Sequence, residues 1–568
     1  MSGQTNSIRP LTTENVLDPR LEAMKYGQQK LKWSVFKGCQ NQSWSVEQAN
    51  SYSTAGANWS FNTSASNVLI DRRIFVRHQF QITFTGTAPV GQPLLSDELD
   101  APRAMPIGSI TSSLKATING TSFNTQYSDV LECMLRYNNS FENRSKDLSQ
   151  SPSMLDNYQN YIDGVGGVRN PLSTYDNGSY EIGRGAYKMD SIINPLSTDA
   201  SVPIEATVVF TVTEPLLMSP FLYSSRHLES ALYGVSNMGV SFSFKAGNLA
   251  RIWSHAKSSG VTITNAKVDI GQGTTEPPQL LINYLTPPLL DSIGEVPQSP
   301  VYQYYKADTY INNFSQTLPP NQSTKVTNNS IQLGTIPSSI YLWFTRPEAD
   351  KTFETTDTAL RVDSLSIGYL NQSGQFSTMT RNDLFAMSCK NGLEMSWVEF
   401  NGLTQSLSTG DVKGLAGSFL KIDVEDLAMP DNFAAGVNTN SQLSITANVT
   451  NINQTETIGV QCNVVCIYEG MVTVTNGQTV SQIGVVDQAD VIKTRQDSTW
   501  VDFRKAQQMY GGSFFSKLGS LAKMAPAAIH GASDLMKAVG MGGCDKGAGR
   551  LGGAIMSQKT LRQRLMDQ

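Results

Sequence analysis

The side chains best able to do chemistry are few in this chain and stand far apart. Four histidines, His78, His227, His255 and His530, serve all 568 residues, which leaves little material for a Ser-His-Asp or Cys-His relay. The six cysteines, Cys39, Cys133, Cys389, Cys462, Cys466 and Cys544, include no CxxC pair and lack the density of a secreted disulfide scaffold. Cys462 and Cys466 share one face of an alternating apolar run, a pattern of core packing more than of metal ligation. Asp423, Glu425 and Asp426 have the makings of a cation site or of a solvated loop, and Arg72 and Arg73 beside Asp71 could touch phosphate or close a strand-edge ion pair. The sequence contains no GxxxxGK[ST] phosphate loop, HExxH helix or EF-hand ladder. No catalytic residue, cofactor or metal is expected, and function is sought in surfaces instead.

Surfaces need a scaffold, and alternation of apolar and polar residues supplies one. Ile74, Val76, Phe80, Ile82 and Phe84 fall on one face of a strand with Arg77, Gln79, Gln81 and Thr83 on the other. The period recurs at Val208, Phe210 and Val212, at Val240, Phe242 and Phe244, and at Leu365, Ile367 and Tyr369. It recurs again at Leu443, Ile445, Ala447 and Val449 and along Ile458, Val460, Cys462, Val464, Cys466 and Tyr468. Turns are predicted at Asn119-Gly120, at Asn476-Gly477 and over Asn371 to Gly374. Helices are few: one over Val130 to Tyr137, capped by Asp129, and one over Asp383 to Ser388 that stops at Asn391-Gly392.

At 568 residues the chain exceeds the ~250–300 residues at which single cores stop growing. A Pro-rich connection from Glu276 to Pro288 divides it into two comparable halves, each long enough for an eight-stranded antiparallel sandwich. The expected organisation is all-β: an N-terminal arm at 1–32, sandwiches at 33–275 and 289–480, a linker at 481–512 and a tail at 513–568. The opening MSGQTNSIRP has no signal-peptide core, and no run of 18 apolar residues occurs. Synthesis in a reducing cell interior as a soluble protein is expected.

The tail differs in character from the body. The net charge is −5, yet the residues after Phe503 are mostly cationic where charged, which points to a separate partner. Phe514, Leu518, Leu521, Ala525, Leu535 and Val539 recur at helical spacing with Lys517, Lys523 and Lys537 largely opposite. Such a helix can lie in a bilayer interface, or its stripe can dock beneath the body or on a neighbouring subunit. Lys559, Arg562 and Arg564 form a basic end suited to nucleic acid.

The stretches Ile336-Pro-Ser-Ser-Ile-Tyr-Leu-Trp-Phe344, Ser364-Leu-Ser-Ile-Gly-Tyr-Leu-Asn-Gln-Ser-Gly374, Asp383-Leu-Phe-Ala-Met-Ser-Cys-Lys-Asn-Gly392 and Met395-Ser-Trp397 lie in this order along the chain. They resemble the major capsid proteins of the double jelly-roll lineage of double-stranded DNA viruses, especially those of virophages, Polintons and Polinton-like viruses. Asp71-Arg72-Arg73, Glu214-Pro-Leu-Leu-Met-Ser-Pro-Phe221 and the ending from Gly552-Gly553 to Leu565 are similar too. The resemblance implies two upright jelly rolls per subunit, to which the residues add few short helices and a C-terminal amphipathic tail. It also implies a homotrimer shaped as a pseudo-hexagonal tile, an icosahedral shell around a DNA genome, and contacts with penton and minor capsid proteins in the virion. Met509-Tyr-Gly-Gly512 followed by Ser513 is similar to the recognition sequence of adenovirus-type maturation proteases, and so is Ile162-Asp-Gly-Val-Gly166 within the body. Cleavage between Gly512 and Ser513 would release the amphipathic helix toward a membrane or the genome. Two other readings use the same fold: a minor capsid or vertex protein, and a carbohydrate-binding attachment protein employing aromatics such as Trp253 and Trp343.

Overall fold

Alternation sets the register of the first sheet. In Phe75–Thr87 the buried inward residues are Val76, His78, Phe80, Ile82 and Phe84, while Arg77, Gln79, Gln81 and Thr83 are half-buried on the outer face. Each buried Val, Ile or Phe contributes about 1.5–3 kcal/mol, and a slip of one residue would turn the whole set outward. His78 joins this apolar face, a position that the period assigns but its residue type disguises.

The computed structural model describes residues 11–15, 32–36 and 41–483, the last span interrupted at 64–68, 97–99, 104, 139–186, 222–230, 256–259, 272–274, 287–300, 356–358, 394, 396, 406–411, 415–416, 428–434, 453–455 and 476. The first sandwich runs through β1 (Asn41–Gln48), β2 (Gly56–Asn62), β3 (Phe75–Thr87), β4 (Thr111–Ile118), β5 (Thr121–Thr125), α1 (Tyr127–Asn138), β6 (Tyr187–Ile193), β7 (Ile204–Pro215), β8 (Asn237–Phe244), β9 (Thr262–Ile270) and β10 (Gln279–Thr286). The second runs through β11 (Val301–Leu318), β12 (Ser323–Thr335), β13 (Ser339–Thr345), β14 (Arg361–Tyr369), β15 (Gln372–Gln375), α2 (Arg381–Lys390), α3 (Trp397–Asn401), β16 (Phe419–Asp423), β17 (Asn438–Thr450), β18 (Ile458–Thr475) and β19 (Gln478–Ile483).

One wiring appears twice. A sheet ordered β1-β10-β3-β7, with β9 beside β3 and β6 beside β7, faces a sheet ordered β5-β4-β8-β2. A sheet ordered β11-β18-β13-β16, with β19 beside β18, faces one ordered β15-β14-β17-β12. Every pairing among these strands is antiparallel. This is the expected double jelly roll, and its buried apolar residues form one core continuous from the first sandwich into the second.

Four local expectations need adjustment. Gln279–Thr286, read from sequence as part of the Pro-rich connection, is β10 and pairs with β1 from Gln279 opposite Gln48 to Thr286 opposite Asn41. Pro277 and Pro278 precede the strand, where a missing N–H costs no ladder bond. The first helix starts at Tyr127, so Asp129 sits in its first turn and meets the positive end of the helix dipole instead of capping it. The second starts after Thr380, whose hydroxyl and Asp383 carboxylate form a capping box, and it stops at Asn391 as read. The β4–β5 hairpin turns on Asn119 and Gly120, both at positive φ of 47° and 82°, whereas the β14–β15 turn uses Leu370 and Asn371 and leaves Gly374 beyond it.

Candidate assembly surfaces

Those chemistry-bearing residues that the structure describes sit in packing and hydrogen-bonding roles. Asp100 accepts from the Nδ1 side of His255 at 2.7 Å, from Trp253 Nε1 at 3.0 Å and from the Ser96 amide at 2.7 Å. Sequence spacing does not anticipate this His–Asp pair. Its side chains are 2% and 0% exposed, so the pair is buried and ties Ser96 and Asp100 to Trp253–His255. His78 lies among Trp59, Phe80, Phe242 and Phe244. Burial pushes its imidazole down to about 3, so the neutral ring is the stable form. Glu214 receives the amides of Ile107 and Gly108 at 2.7 and 2.9 Å, and burial nevertheless pushes its carboxyl up to about 8.

Cys462 and Cys466 are buried in β18, and burial raises both thiols above their ordinary value, Cys462 to about 12. Arg73 pairs with Asp71 at 2.6 Å as the strand-edge reading expects, while Arg72 turns inward and donates to the Pro220 carbonyl at 2.6 Å. Asp423 and Asp426 close a capping box around a short turn, with Lys390 reaching Asp426 at 3.2 Å. Among the described residues no group of acidic, His or Cys side chains is arranged to hold a metal. Trp253 and Trp343, the aromatics considered for sugar stacking, are both buried in the core. Among the described residues no helix is long and apolar enough to cross a membrane.

What the geometry does build is a rigid joint between the sandwiches. The segment after β13 carries Phe353 against Phe84 and His255, with ring centroids 6.0 and 6.3 Å away. Arg251 donates to the carbonyls of Thr352 and Thr355 and to the Thr355 hydroxyl, and Arg103 donates to the carbonyls of Thr355 and Phe353. Both arginines are buried, and Arg103 Nε also donates to the Arg251 carbonyl at 3.0 Å. Lys245 closes the rim with an ion pair to Glu348. Such charge-assisted bonds are the stronger kind, and leaving one unmade in a buried site costs about 1–3 kcal/mol.

A second contact is made by α1. Its Val130 and Met134 line a narrow crevice with Tyr304, Tyr305, Lys306 and Ala307 of β11, a space of about 30 Å³, room for about one water. Beside it the Tyr233 amide donates to Tyr302 Oη at 2.8 Å, and the Tyr305 amide to Ser219 Oγ at 2.9 Å. The covering shows in β13, where all seven residues of Ser339–Thr345 are buried. In the matching sheet of the first sandwich, by contrast, Trp44 and Val46 on β1 are each 52% exposed.

The tail residues Gly512, Ser513, Phe514, Leu518, Leu521, Ala525, Leu535, Val539, Lys559, Arg562 and Arg564 lie outside the described residues, as does Ile162 to Gly166.

Two sandwiches of one wiring, locked through a buried joint and with sealed interiors, define a double jelly-roll shell protein. The family model described as the Sputnik virophage major capsid protein first domain matches residues 15–285, and that of the major capsid protein V20 C-terminal domain matches residues 307–470. The putative capsid protein V20 of Sputnik virophage is 30% identical over 531 residues, covering 90% of this chain and 86% of that one. The Sputnik virophage structure solved by cryo-EM matches with a TM-score of 0.70 at 28% identity, over 92% of this chain and 100% of that one. The crystal structure of the mavirus major capsid protein shares the fold, with a TM-score of 0.62 at 16% identity over 79% and 92% of the two chains. The chain belongs to the virophage major capsid protein family.

Proposed function

We propose that the chain is the shell-forming subunit of a virophage-type particle, in which three copies close into a pseudo-hexagonal capsomer and capsomers tile an icosahedral shell around double-stranded DNA. The observation that carries this reading is the repetition of one wiring in two sandwiches joined rigidly through Arg103, Arg251 and Phe353. Three such chains around a threefold axis offer six similar sandwiches, a tile that packs a closed surface. Work of this kind needs contacts and no active site. The chain is read as a non-enzyme of the virion, made and assembled inside the host cell, meeting its own copies and the penton and minor capsid proteins.

The division at 1–32, 33–275, 289–480, 481–512 and 513–568 belongs to the same proposal, with β10 added to the first sandwich. So does the tail: cutting between Gly512 and Ser513 by a maturation protease would free the stripe of Phe514, Leu518, Leu521, Ala525, Leu535 and Val539 for a membrane, while Lys559, Arg562 and Arg564 would meet the genome.

Expression of the full chain, followed by native mass measurement and negative-stain imaging, is expected to give trimers that assemble into shells. A glycan-binding monomer with no higher assembly would sink the reading. Intact mass of mature particles tests the tail separately, since an uncut 568-residue chain removes cleavage.

A further inference from the structure

We propose that the outer face of β1 and β10, at Trp44, Val46 and Leu281, receives α2 and α3 of a second copy, repeating between chains the contact that α1 makes within one. The inference rests on the trimer reading and adds the surface through which the ring closes.

The internal contact is the template. Helix α1 follows β5, the edge strand of its sheet, and sets Val130 and Met134 against β11, the strand beside β18 in the second sandwich. By the shared wiring, α2 and α3 follow β15 as α1 follows β5, and β1 stands beside β10 as β11 stands beside β18. The second sandwich therefore carries a helical donor of the kind that the first one uses, and the first carries an acceptor strand of the kind that the second one uses. Within the chain α2 packs on β16 and β14, and α3 packs on Leu403–Gln405, all in their own half.

Among the described residues both surfaces carry exposed apolar side chains. Trp44 and Val46 are each 52% exposed on one side, and Trp397 of α3 is 37% exposed on the other. In the pairing of β1, β10 and β3, Val46 is opposite Leu281 and Leu281 opposite Phe75, which makes a continuous apolar row. Trp44 leans on Phe75 with ring centroids 6.2 Å apart, and Trp397 on Phe385 and Phe400 at 5.3 and 6.1 Å. Each tryptophan is thus braced by aromatic neighbours, as anchors at the centre of interfaces are.

The occupant is a second copy of this chain because a donor and an acceptor of one kind, on different halves of one molecule, make a heterologous contact. Heterologous contacts form rings when the rotation divides a full circle. One contact inside each chain alternates with one between chains, and three chains complete the circle.

A photoreactive benzoylphenylalanine at position 397 of the full chain tests the geometry. The expected result is an adduct between two copies whose mass maps to Asn41–Gln48 or Gln279–Thr286. Trp44→Glu is expected to weaken association at least ~30-fold, the scale of a central tryptophan anchor, while thermal unfolding of the monomer stays unchanged because the side chain is half in solvent. Val46→Lys gives the same outcome if the first variant folds poorly. Trimers that persist in both variants, with adducts mapping elsewhere, would overturn this surface and leave the trimer reading standing. A wild-type chain that stays monomeric at every concentration would remove the trimer reading and this surface together.

Discussion

The two sandwiches share a wiring and treat the same sheet in opposite ways. In the first, β3 alternates strictly, with apolar residues and His78 inward and Arg77, Gln79, Gln81 and Thr83 toward water. In the second, β13 is buried on both faces, and β18 is buried without a break from Val460 to Tyr468. A strand covered on both sides reads as a continuous apolar run, and one covered on a single side reads as alternation. Among the described residues, the difference records which face is covered within the chain and which is open.

The comparison can be broken most sharply by placing one charge on each outer face. Val465→Asp, on the covered face of β18, is expected to cost about 4 kcal/mol or more, since a carboxylate there is buried without a partner. Thr85→Asp, at a half-buried outward position of β3, is expected to stay within about 1 kcal/mol. Urea unfolding of the two variants measures both, and equal costs would mean that the two faces do not differ.

Acid tests the interior of the first sandwich. His78 is neutral in the fold down to about pH 3, whereas its ordinary value is 6.5. Between those values the unfolded chain binds the extra proton, so stability falls as pH drops, by about 3 kcal/mol between pH 6.5 and 4. Glu214 acts the other way: its folded value of about 8 exceeds the ordinary 4.5, so its contribution is present at low pH and is lost as pH rises from 4.5 to 8. The slopes oppose each other between pH 4.5 and 6.5. His78→Phe should remove the acid limb in a pH series of unfolding midpoints and leave the decline toward pH 8.

The joint comes next in size. Arg251→Ala removes bonds to Thr352 and Thr355 and is expected to cost about 2–3 kcal/mol. Calorimetry should then resolve two unfolding transitions where the wild type, with one continuous core, is expected to give one. A single unchanged transition would show that the joint does not couple the halves. The smallest effect belongs to α2, where Thr380→Ala loses the capping box for about 1 kcal/mol, and hydrogen exchange should rise at Arg381–Asp383 while α1 is unaffected.

Much of this fold is legible in the residues. Period-two patterns locate β3, β7, β8, β14, β17 and β18, because one buried face imposes them. β10 escapes since its flanking prolines look like a linker, and only its partner β1 shows that it belongs to a sheet. The joint escapes for another reason: Arg103 and Phe353 are 250 residues apart, and neither the arginine nor the phenylalanine carries a local signal of the other. The acceptor strip at Trp44 and Val46 is visible in the sequence as two apolar residues at alternate positions. Its meaning depends on their exposure in the fold, each being 52% exposed, which no local pattern gives.

The pairing of β1 with β10 has a consequence for the newborn chain. Asn41 finds its partner in Thr286, so the first strand must wait beside the ribosome until nearly the whole first half has emerged. Contacts so distant along the chain form late, and unpaired edges invite mispairing meanwhile. Nascent chains stalled before Gln279 are thus expected to stay protease-sensitive at Asn41–Gln48, and those stalled well past Thr286 to become resistant. In a cell where many copies are made at once, that interval is when β1 is most open to pairing with the wrong molecule.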